Sequence, residues 1–177
     1  KKVKKINALL VVVTGLPATG KSTIARNLAK RLHGTFLSTD LIRKELLSRP
    51  GYTKEEKELI YVVMLLVARY LLRSDVTVVL DGTFYKRSLR KRVYAVAGRT
   101  KSNLKIIECV CPEYVIRRRM RRRAGRKRNL SDADYGVYKK VAAQFESIRR
   151  KHIVVDTSMF LRQNLEDIVH KIRKDRD

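Results

Sequence analysis

Residues 15–22 constrain the fold of this chain more than any other segment. They read Gly-Leu-Pro-Ala-Thr-Gly-Lys-Ser and fit the pattern G-x-x-x-x-G-K-[ST]. An apolar, strand-like run at 9–13 precedes them, and a helix-like run at 23–32 follows. A glycine-rich loop between a strand and a helix aims backbone N–H groups at one point, where the helix N-terminus also favours negative charge. The segment therefore predicts a phosphate-binding loop.

Individual residues of this loop have separate expected roles. Gly15 and Gly20 allow positive φ angles, which turn the backbone N–H groups inward. Lys21 can reach the β- and γ-phosphates of a nucleotide, and the Ser22 hydroxyl is an oxygen ligand suited to Mg²⁺. The predicted nucleotide-binding residues of this segment are Gly15, Leu16, Pro17, Ala18, Thr19, Gly20, Lys21, Ser22 and Thr23.

Strand-like and helix-like segments alternate along the chain. Five apolar runs are typical of buried strands, at 9–13, 35–37, 76–80, 104–110 and 153–155. Helical patterns lie at 23–32, 41–47, 53–73, 86–96, 113–123, 132–145 and 165–174. The alternation predicts a three-layer α/β/α sandwich around a parallel five-stranded sheet. A length of 177 residues suits a single domain covering 1–177.

Capping residues mark several of these helix ends. Thr53 with Glu56, and Ser131 with Asp134, each fit a capping box at a helix start. Gly98 predicts the stop of the helix at 86–96, because glycine readily adopts the left-handed conformation that follows many helices. Asn164 is expected to cap the closing helix.

The charge of the chain is strongly unbalanced. Its 42 Lys and Arg against 17 Asp and Glu give a net charge of +25 and a pI near 10.6. Such a field attracts polyanions, both nucleic acid and ATP. The two cysteines, Cys109 and Cys111, are one residue apart on a predicted strand, which suggests neither a disulfide framework nor a zinc cluster. No run approaches the length of a membrane span, and we expect a cytoplasmic protein.

Asp40 and Arg43 follow the second predicted strand. In a parallel sheet the carboxyl end of that strand lies beside the phosphate loop. A carboxylate at Asp40 can take the proton of an attacking hydroxyl, and Arg43, three residues later on the same helical face, can hold a phosphate. The alternative is that Asp40 only caps its helix.

Asp81 ends the apolar run at 76–80. This is the usual place for an acidic residue that helps to hold Mg²⁺ in phosphate-loop enzymes. Asp81 is therefore a predicted metal residue together with Ser22. Two structural alternatives are open: Asp81 supports Arg43, or it caps the next helix through Thr83.

An arginine-rich block at 117–128 is the most extreme segment of the chain. We interpret residues 113–130 as a mobile lid that folds over a bound nucleotide, with Arg119 and Arg123 on one helical face stabilising the phosphoryl group in transfer. A nonspecific polyanion-binding patch is the alternative.

A second basic cluster follows Asp81. It comprises Lys86, Arg87, Arg90, Lys91 and Arg92. These residues are expected to track the backbone of an acceptor, or else to form an ordinary exposed helix face. Tyr85, between Asp81 and the cluster, is a candidate stacking platform for a base. The predicted acceptor-binding residues are Arg43, Thr83, Tyr85 and Arg87.

Several of these segments together resemble a known family. The segments are 15–23, 38–46 (Ser-Thr-Asp-Leu-Ile-Arg-Lys-Glu-Leu), 80–84 (Leu-Asp-Gly-Thr-Phe), 111–113 (Cys-Pro-Glu) and 131–134 (Ser-Asp-Ala-Asp), with Tyr138 and Glu146. They look like the phosphate-loop kinases that include polynucleotide 5′-hydroxyl kinase domains and small zeta-toxin-like kinases, whose fold is similar to that of nucleoside monophosphate kinases.

The resemblance implies roles for particular residues. Asp40 corresponds to the general base and Arg43 to a contact with the acceptor phosphate, while Arg119 and Arg123 correspond to lid arginines that grip ATP. Asp156 and Thr157 are implied to lie close to the adenine. ATP and Mg²⁺ are the implied cofactors. One departure concerns the acceptor, since Gly82-Thr83 replaces the Thr-Asn pair of phage-type polynucleotide kinases.

These observations predict an ATP- and Mg²⁺-dependent kinase in which Asp40, Lys21, Arg43, Arg119 and Arg123 are catalytic. The high positive charge favours nucleic acid as the partner, with a 5′-hydroxyl of RNA or DNA as acceptor. No obligate protein partner is inferred. One alternative is a kinase of small alcohols, and another is a noncatalytic, nucleotide-gated protein that binds nucleic acid.

Overall fold

The computed structural model describes residues 8–124 and 134–174. Five strands form one sheet: β1 (Leu9–Thr14), β2 (Thr35–Ser38), β3 (Val78–Asp81), β4 (Asn103–Val110) and β5 (Ile153–Asp156). The helices are α1 (Lys21–Arg31), α2 (Thr39–Leu46), α3 (Lys54–Arg73), α4 (Arg87–Thr100), α5 (Glu113–Ala124), α6 (Tyr135–Ala143) and α7 (Leu161–Lys174). The strand order is β2-β3-β1-β4-β5, and every neighbouring pair is parallel.

The central strand β1 forms a core with helices on each side of the sheet. Successive side chains of a strand point to opposite faces. Leu10 and Val12 therefore pack with α3 and α4, while the alternate side chains of β1 pack with α1 and α7. All six residues of β1 are buried, and full burial of each large apolar side chain contributes about 1.5–3 kcal/mol. The predicted three-layer sandwich is confirmed.

Parallel pairing places the ends of β1, β2 and β3 at one edge of the sheet. Val13 is level with Asp81, and Asp81 is level with Ser38. The loops that follow these three strands therefore meet at the carboxyl edge.

Two helix-end predictions, one for α4 and one for α7, differ from the structure. Helix α4 continues through Gly98 and ends before Lys101, which takes the left-handed conformation itself with φ 53°. The predicted stop at Gly98 is therefore wrong. Helix α7 begins at Leu161, so Asn164 is not its cap; its side-chain amide donates to the backbone carbonyl of Asp156 at 2.9 Å.

The predicted start of the sixth helix at 132 and its end at 145 also need correction. The described part of α6 has Asp134 itself as N-cap, accepting a hydrogen bond from the Val137 N–H at 2.8 Å. The predicted cap Ser131 lies outside the described residues. The Thr53 cap is confirmed, since its hydroxyl accepts from the Glu56 N–H at 3.1 Å.

Among the described residues, no helix combines the length and the apolar character needed to cross a bilayer. Both cysteines are free. Burial raises the pKa of the Cys109 thiol to about 12, so this side chain behaves as a small apolar residue of the core.

Candidate functional site

The loop between β1 and α1 adopts the conformation that the sequence predicts. Gly15 has φ 147° and Gly20 has φ 88°. A Cβ atom on Gly15 would lie 2.4 Å from the carbonyl oxygen of Cys109 on β4, which no side chain can tolerate. The Thr19 hydroxyl donates to the Leu16 carbonyl at 2.8 Å, and the Lys21 ammonium lies 3.4 Å from the same oxygen. Hydrogen bonds within the loop thus fix its conformation, and Gly15 packs closely against β4.

The N-terminus of α1 is suited to an anion. Its N-cap is Gly20, which has no side chain to bind the first N–H groups, and the first turn has no acidic residue. Because these N–H groups carry partial positive charge, they favour a phosphate group. Ser22 and Lys21 stand on this first turn and are both partly exposed.

We expect Gly15→Ala to lower the free energy of unfolding by about 1–3 kcal/mol, because a non-glycine residue would need strained φ and would clash with β4. Nucleotide affinity should fall as well. Gly98→Ala is the matched control, since a Cβ atom there meets nothing within 4 Å and helical alanine is favourable. Thermal unfolding and fluorescent-nucleotide titration measure both effects. Equal stability of the two variants would contradict this account of the loop.

Asp81 has one satisfied and one unsatisfied carboxylate oxygen. The residue is 2% exposed, and its Oδ2 accepts from the Ser38 hydroxyl at 3.1 Å. Its Oδ1 is buried with no hydrogen-bond partner among the described residues. A buried carboxylate oxygen is costly unless paired, so this atom fits a site for a cation or a cation-bound water. Ser22 and Asp81 are therefore residues that can hold Mg²⁺.

The two structural alternatives for Asp81 are not supported. Arg43 makes its ion pairs with Asp40 and Glu56. The N-cap of α4 is Lys86, and the first N–H of this helix, that of Arg87, donates to Glu146 and not to Asp81 or Thr83.

Asp40 and Arg43 lie in the first turns of α2. The N-cap of this helix is Ser38, so Asp40 is not the cap. Arg43 Nη1 lies 3.2 Å from Asp40 Oδ1, and the Asp40 side chain is 32% exposed. Arg43 itself is buried, with its guanidinium carbon 4.9 Å from the centre of the Tyr52 ring. An oriented, partly exposed carboxylate therefore faces the carboxyl edge of the sheet.

Glu56 is a site residue that sequence reasoning missed. Its Oε1 accepts from Arg43 Nε at 2.8 Å, and its Oε2 accepts from the backbone N–H groups of Gly51 at 2.6 Å and Tyr52 at 2.8 Å. Partial burial raises the pKa of Glu56, but these hydrogen bonds together lower it overall. The sequence assigned Glu56 to a capping box; the side chain instead joins the turn at 51–52 to Arg43.

Arg119 connects three segments around the phosphate loop. Its Nη1 donates to the Ala18 carbonyl at 3.3 Å and to the Thr157 hydroxyl at 3.0 Å, and its Nη2 donates to the Thr157 carbonyl at 2.6 Å. The Thr157 hydroxyl in turn donates to the Thr19 carbonyl. The structure therefore places Arg119 and Thr157 beside the phosphate loop. Contact of either residue with a nucleotide stays a prediction.

Arg123 lies one turn further along α5 and is half-buried. Burial and the charge of Arg119 lower the pKa of Arg123, and the carboxylate of Asp40 acts in the opposite direction. Asp40 and Arg123 are thus close enough for their charges to interact. Residues 125–130 of the predicted lid lie outside the described residues, and closure of a lid stays a prediction.

Asp156 is engaged by its own turn. Its Oδ1 accepts from the Ser158 hydroxyl and N–H, and these bonds lower its pKa. A direct contact of Asp156 with a nucleotide stays a prediction.

The predicted acceptor-binding residues Thr83 and Tyr85 lie between β3 and α4, and Arg87 is the first residue of α4. The Thr83 carbonyl accepts from the Thr14 hydroxyl at 2.6 Å, which ties this segment to β1. Tyr85 is partly exposed, with the Lys86 ammonium 5.5 Å from its ring centre. Arg87 is exposed, and its backbone N–H donates to Glu146. Binding of an acceptor by these residues stays a prediction.

The second basic cluster is not one exposed face. Arg90 is 2% exposed and donates to four backbone carbonyls, those of Phe84 (2.7 Å), Tyr85 (3.2 Å), Glu146 (2.7 Å) and Ser147 (3.0 Å). Arg92 pairs with Glu58 at 2.7 Å. The prediction that Arg90 tracks an acceptor is therefore wrong, since its guanidinium is buried and binds the backbone of two chain segments.

Fold and site together define a phosphate-loop nucleotide-binding protein with a kinase-like fold. The chain belongs to an AAA domain family, whose model matches residues 10–148. It is 33% identical over 128 residues to an uncharacterized protein of Mycobacterium tuberculosis, covering 66% of this chain and 26% of that protein. It is 28% identical over 109 residues to the L-seryl-tRNA(Sec) kinase of Methanococcus maripaludis, covering 59% and 42%.

Solved structures share the fold at lower sequence identity. A proposed kinase from Chloroflexus aurantiacus superposes with TM-score 0.77 at 18% identity, covering 95% of this chain and 97% of that one. The Mycobacterium tuberculosis APS kinase, solved with AMPPNP and APS, gives TM-score 0.72 at 15% identity, covering 94% and 98%. The chain spans about a quarter of the length of its mycobacterial relative and under half of the seryl-tRNA kinase. Membership of the polynucleotide kinase subgroup is not established by these matches.

Proposed function

We propose that this protein is an ATP- and Mg²⁺-dependent kinase that transfers the γ-phosphate of ATP to a hydroxyl group. One observation carries the proposal: a partly exposed carboxylate, Asp40, is oriented by Arg43 at the sheet edge that also holds the phosphate loop. The kinases among the relatives and structural neighbours support the same reading.

Each step of the transfer has a residue on this chain. Asp40 accepts the proton of the attacking hydroxyl, and Arg43 keeps the carboxylate oriented. Lys21 and the N–H groups of the loop bind the phosphates, and Arg123, brought near Asp40, offsets negative charge on the group in transfer. Arg119 holds α5 against the loop. Ser22 and Asp81 would hold Mg²⁺, which when bound would supply positive charge to neutralise the phosphates.

The favoured acceptor is a hydroxyl carried by nucleic acid, with the 5′-hydroxyl of RNA or DNA as first candidate. The net charge of +25 exceeds what a small neutral substrate requires, and it supports binding of a polyanion. The L-seryl-tRNA(Sec) kinase relative has an RNA-linked substrate in its name.

A small alcohol is the second candidate acceptor. Arg43 is buried and already paired with Asp40 and Glu56, which leaves it less able to bind an acceptor phosphate. A gluconokinase from Sinorhizobium meliloti is among the structural neighbours, with TM-score 0.66 at 20% identity, covering 97% of this chain and 94% of that one.

Transfer of ³²P from γ-labelled ATP to a panel of 5′-hydroxyl RNA, 5′-hydroxyl DNA, transfer RNA and small alcohols tests the proposal. Label on nucleic-acid ends, falling steeply with salt, supports the favoured acceptor, because several phosphates must be neutralised for binding. Label on small alcohols alone, with weak salt dependence, assigns the second candidate. Absence of label on every acceptor, with tight binding retained, contradicts the kinase proposal.

The orphaned oxygen of Asp81 leads to a separate expectation. Asp81→Asn should raise the Mg²⁺ concentration for half-maximal activity by about 10–100-fold, because loss of one supporting carboxylate weakens a metal site by this order. Asp75→Asn is the control, since Asp75 is an exposed acid whose left-handed φ of 56° asparagine tolerates. A Mg²⁺ titration of activity measures both. If both variants need the same Mg²⁺ as wild type, Asp81 does not hold the metal.

A further inference from the structure

A basic groove lies at the amino edge of the sheet, opposite the phosphate loop. It is a cavity of about 600 Å³ between the C-terminal end of α4, the starts of β4 and β5, and the chain at 150–153. The residues of β4 that line the groove, 103–106, lie four to seven positions before Val110 at the carboxyl edge, so at about 3.3 Å per residue the groove lies roughly 13–23 Å from that edge. It is therefore a second concave surface, separate from the site described above.

The side chains of this groove are strongly basic. Lys101, Lys105, Arg150, Lys151 and His152 contribute to its lining. The lining residues include no Asp or Glu; the nearby Glu108 is paired with His152 at 3.1 Å. The C-terminal end of α4 has partial negative charge, which the charges of the lysines and Arg150 outweigh. Because Lys101 and Arg150 bring like charges to one concavity, a bound anion would stabilise the arrangement.

A cation–π pair gives the groove a planar surface. The guanidinium carbon of Arg150 lies 4.7 Å from the centre of the Tyr94 ring, and Tyr94 is half-buried in the wall. Guanidinium and tyrosine planes stack with nucleic-acid bases, while lysines bind the phosphates. A flat bilayer surface would instead be met by protruding basic and apolar side chains, which a recessed groove does not offer.

A continuous stretch of chain joins the groove to the candidate active site. At the N-terminal end of α4, Glu146 binds the backbone of Tyr85 and Arg87. Further along α4, Arg150 reaches Tyr94. At the C-terminal end, residues 150–153 and Gly98 line the groove together. The 14 residues of α4 span about 21 Å, a length that several nucleotides of a single strand can cover.

We propose that this groove binds the phosphate backbone of single-stranded nucleic acid at a distance from its reacting end. The direction of the strand, toward Tyr85 and Asp40, rests on the proposed function; binding in the groove does not. The groove thus acts as an anchor that favours long acceptors over short ones.

The test compares binding of a 5′-hydroxyl 20-nucleotide single strand with that of a trinucleotide, by fluorescence anisotropy over a range of salt. The groove variant is Lys101→Ser with Arg150→Ser. The control, Lys171→Ser with Arg173→Ser, removes the same charge from exposed positions of α7 on the other side of the sheet. A third variant, Lys101→Arg with Arg150→Lys, keeps the charge. Thermal unfolding and ATP titration establish that each variant is folded.

The groove variant should bind the long strand at least roughly tenfold more weakly, and its salt slope should fall by about 1.4, the value for two lost phosphate contacts on a single strand. Trinucleotide binding should change little, and the charge-keeping variant should bind nearly as wild type. Equal losses in the groove and control variants would overturn the proposal. The proposal would also be overturned if the groove variant bound the long strand like wild type but no longer bound phosphatidylserine vesicles, because the groove would then bind a membrane surface. Groove-dependent binding without label on strand ends would contradict only the proposed acceptor.

Discussion

Asp40→Asn is expected to reduce phosphoryl transfer by about 10²- to 10⁴-fold, the usual contribution of a general base. Asparagine keeps the shape of the side chain and an oxygen for the hydrogen bond from Arg43, which lies 3.2 Å away. It cannot accept a proton from the attacking hydroxyl. ATP affinity should change little, because the phosphate loop does not depend on this carboxylate.

The matched control for Asp40 lies on the same helix. Glu45 of α2 is exposed, and Glu45→Gln removes the same charge away from the site. Single-turnover transfer to the best acceptor of the panel, with ATP binding by calorimetry, compares the two variants. Transfer by Asp40→Asn within about threefold of wild type would exclude Asp40 as the base, since general-base loss costs at least about a hundredfold.

Glu56→Gln is the second change with a large expected effect. The glutamine oxygen can still accept from Gly51 and Tyr52, but it has no charge to balance the buried Arg43. We expect kcat to fall by about 10–100-fold, because a displaced Arg43 no longer orients Asp40, and small misplacements of reacting groups cost this much. The KM for ATP should stay near that of wild type, since Glu56 does not belong to the phosphate loop.

The pH dependence of stability separates this role from a general loss of structure. The pKa of Glu56 is lowered in the folded protein, so its contribution to stability is complete above the pKa of the unfolded chain, about pH 4.3, and is lost as the pH falls through the folded pKa. The stability difference between wild type and Glu56→Gln should therefore be constant above about pH 5 and shrink in more acidic solution. Glu55→Gln, the exposed neighbour in the first turn of α3, is the control. A difference that persists unchanged in acid would contradict the ion-pair account.

Much of the architecture was predictable because its signals are local. The buried residues of β1 form an uninterrupted apolar run, and the glycines of the phosphate loop mark positions that need positive φ. Asp81 was found by its place after a buried strand. The Gly98 stop failed for a local reason too, because Lys101 could adopt the left-handed conformation that glycine was expected to supply.

The contacts that organise the site could not be predicted in the same way. Glu56 reaches Arg43 across 13 positions, Arg90 reaches Glu146 across 56, and Arg119 reaches Ala18 across 101. No periodicity or spacing rule connects such positions. In a chain with 42 basic residues, sequence alone also does not distinguish a buried arginine such as Arg90 from an exposed one.

The buried guanidinium of Arg90 is a noncovalent cross-link between distant parts of the chain. It fastens the segment after β3 to Glu146 and Ser147, 56 and 57 positions away, in a chain whose cysteines are both free. Cutting the chain before residue 146 would remove two of the four carbonyl partners of Arg90. A buried positive charge would then lack these partners, which is strongly destabilising. The match to the AAA domain model ends at 148, one residue beyond Ser147, the last of these carbonyl partners. A fragment that keeps all four carbonyl partners of Arg90 therefore extends at least through Ser147.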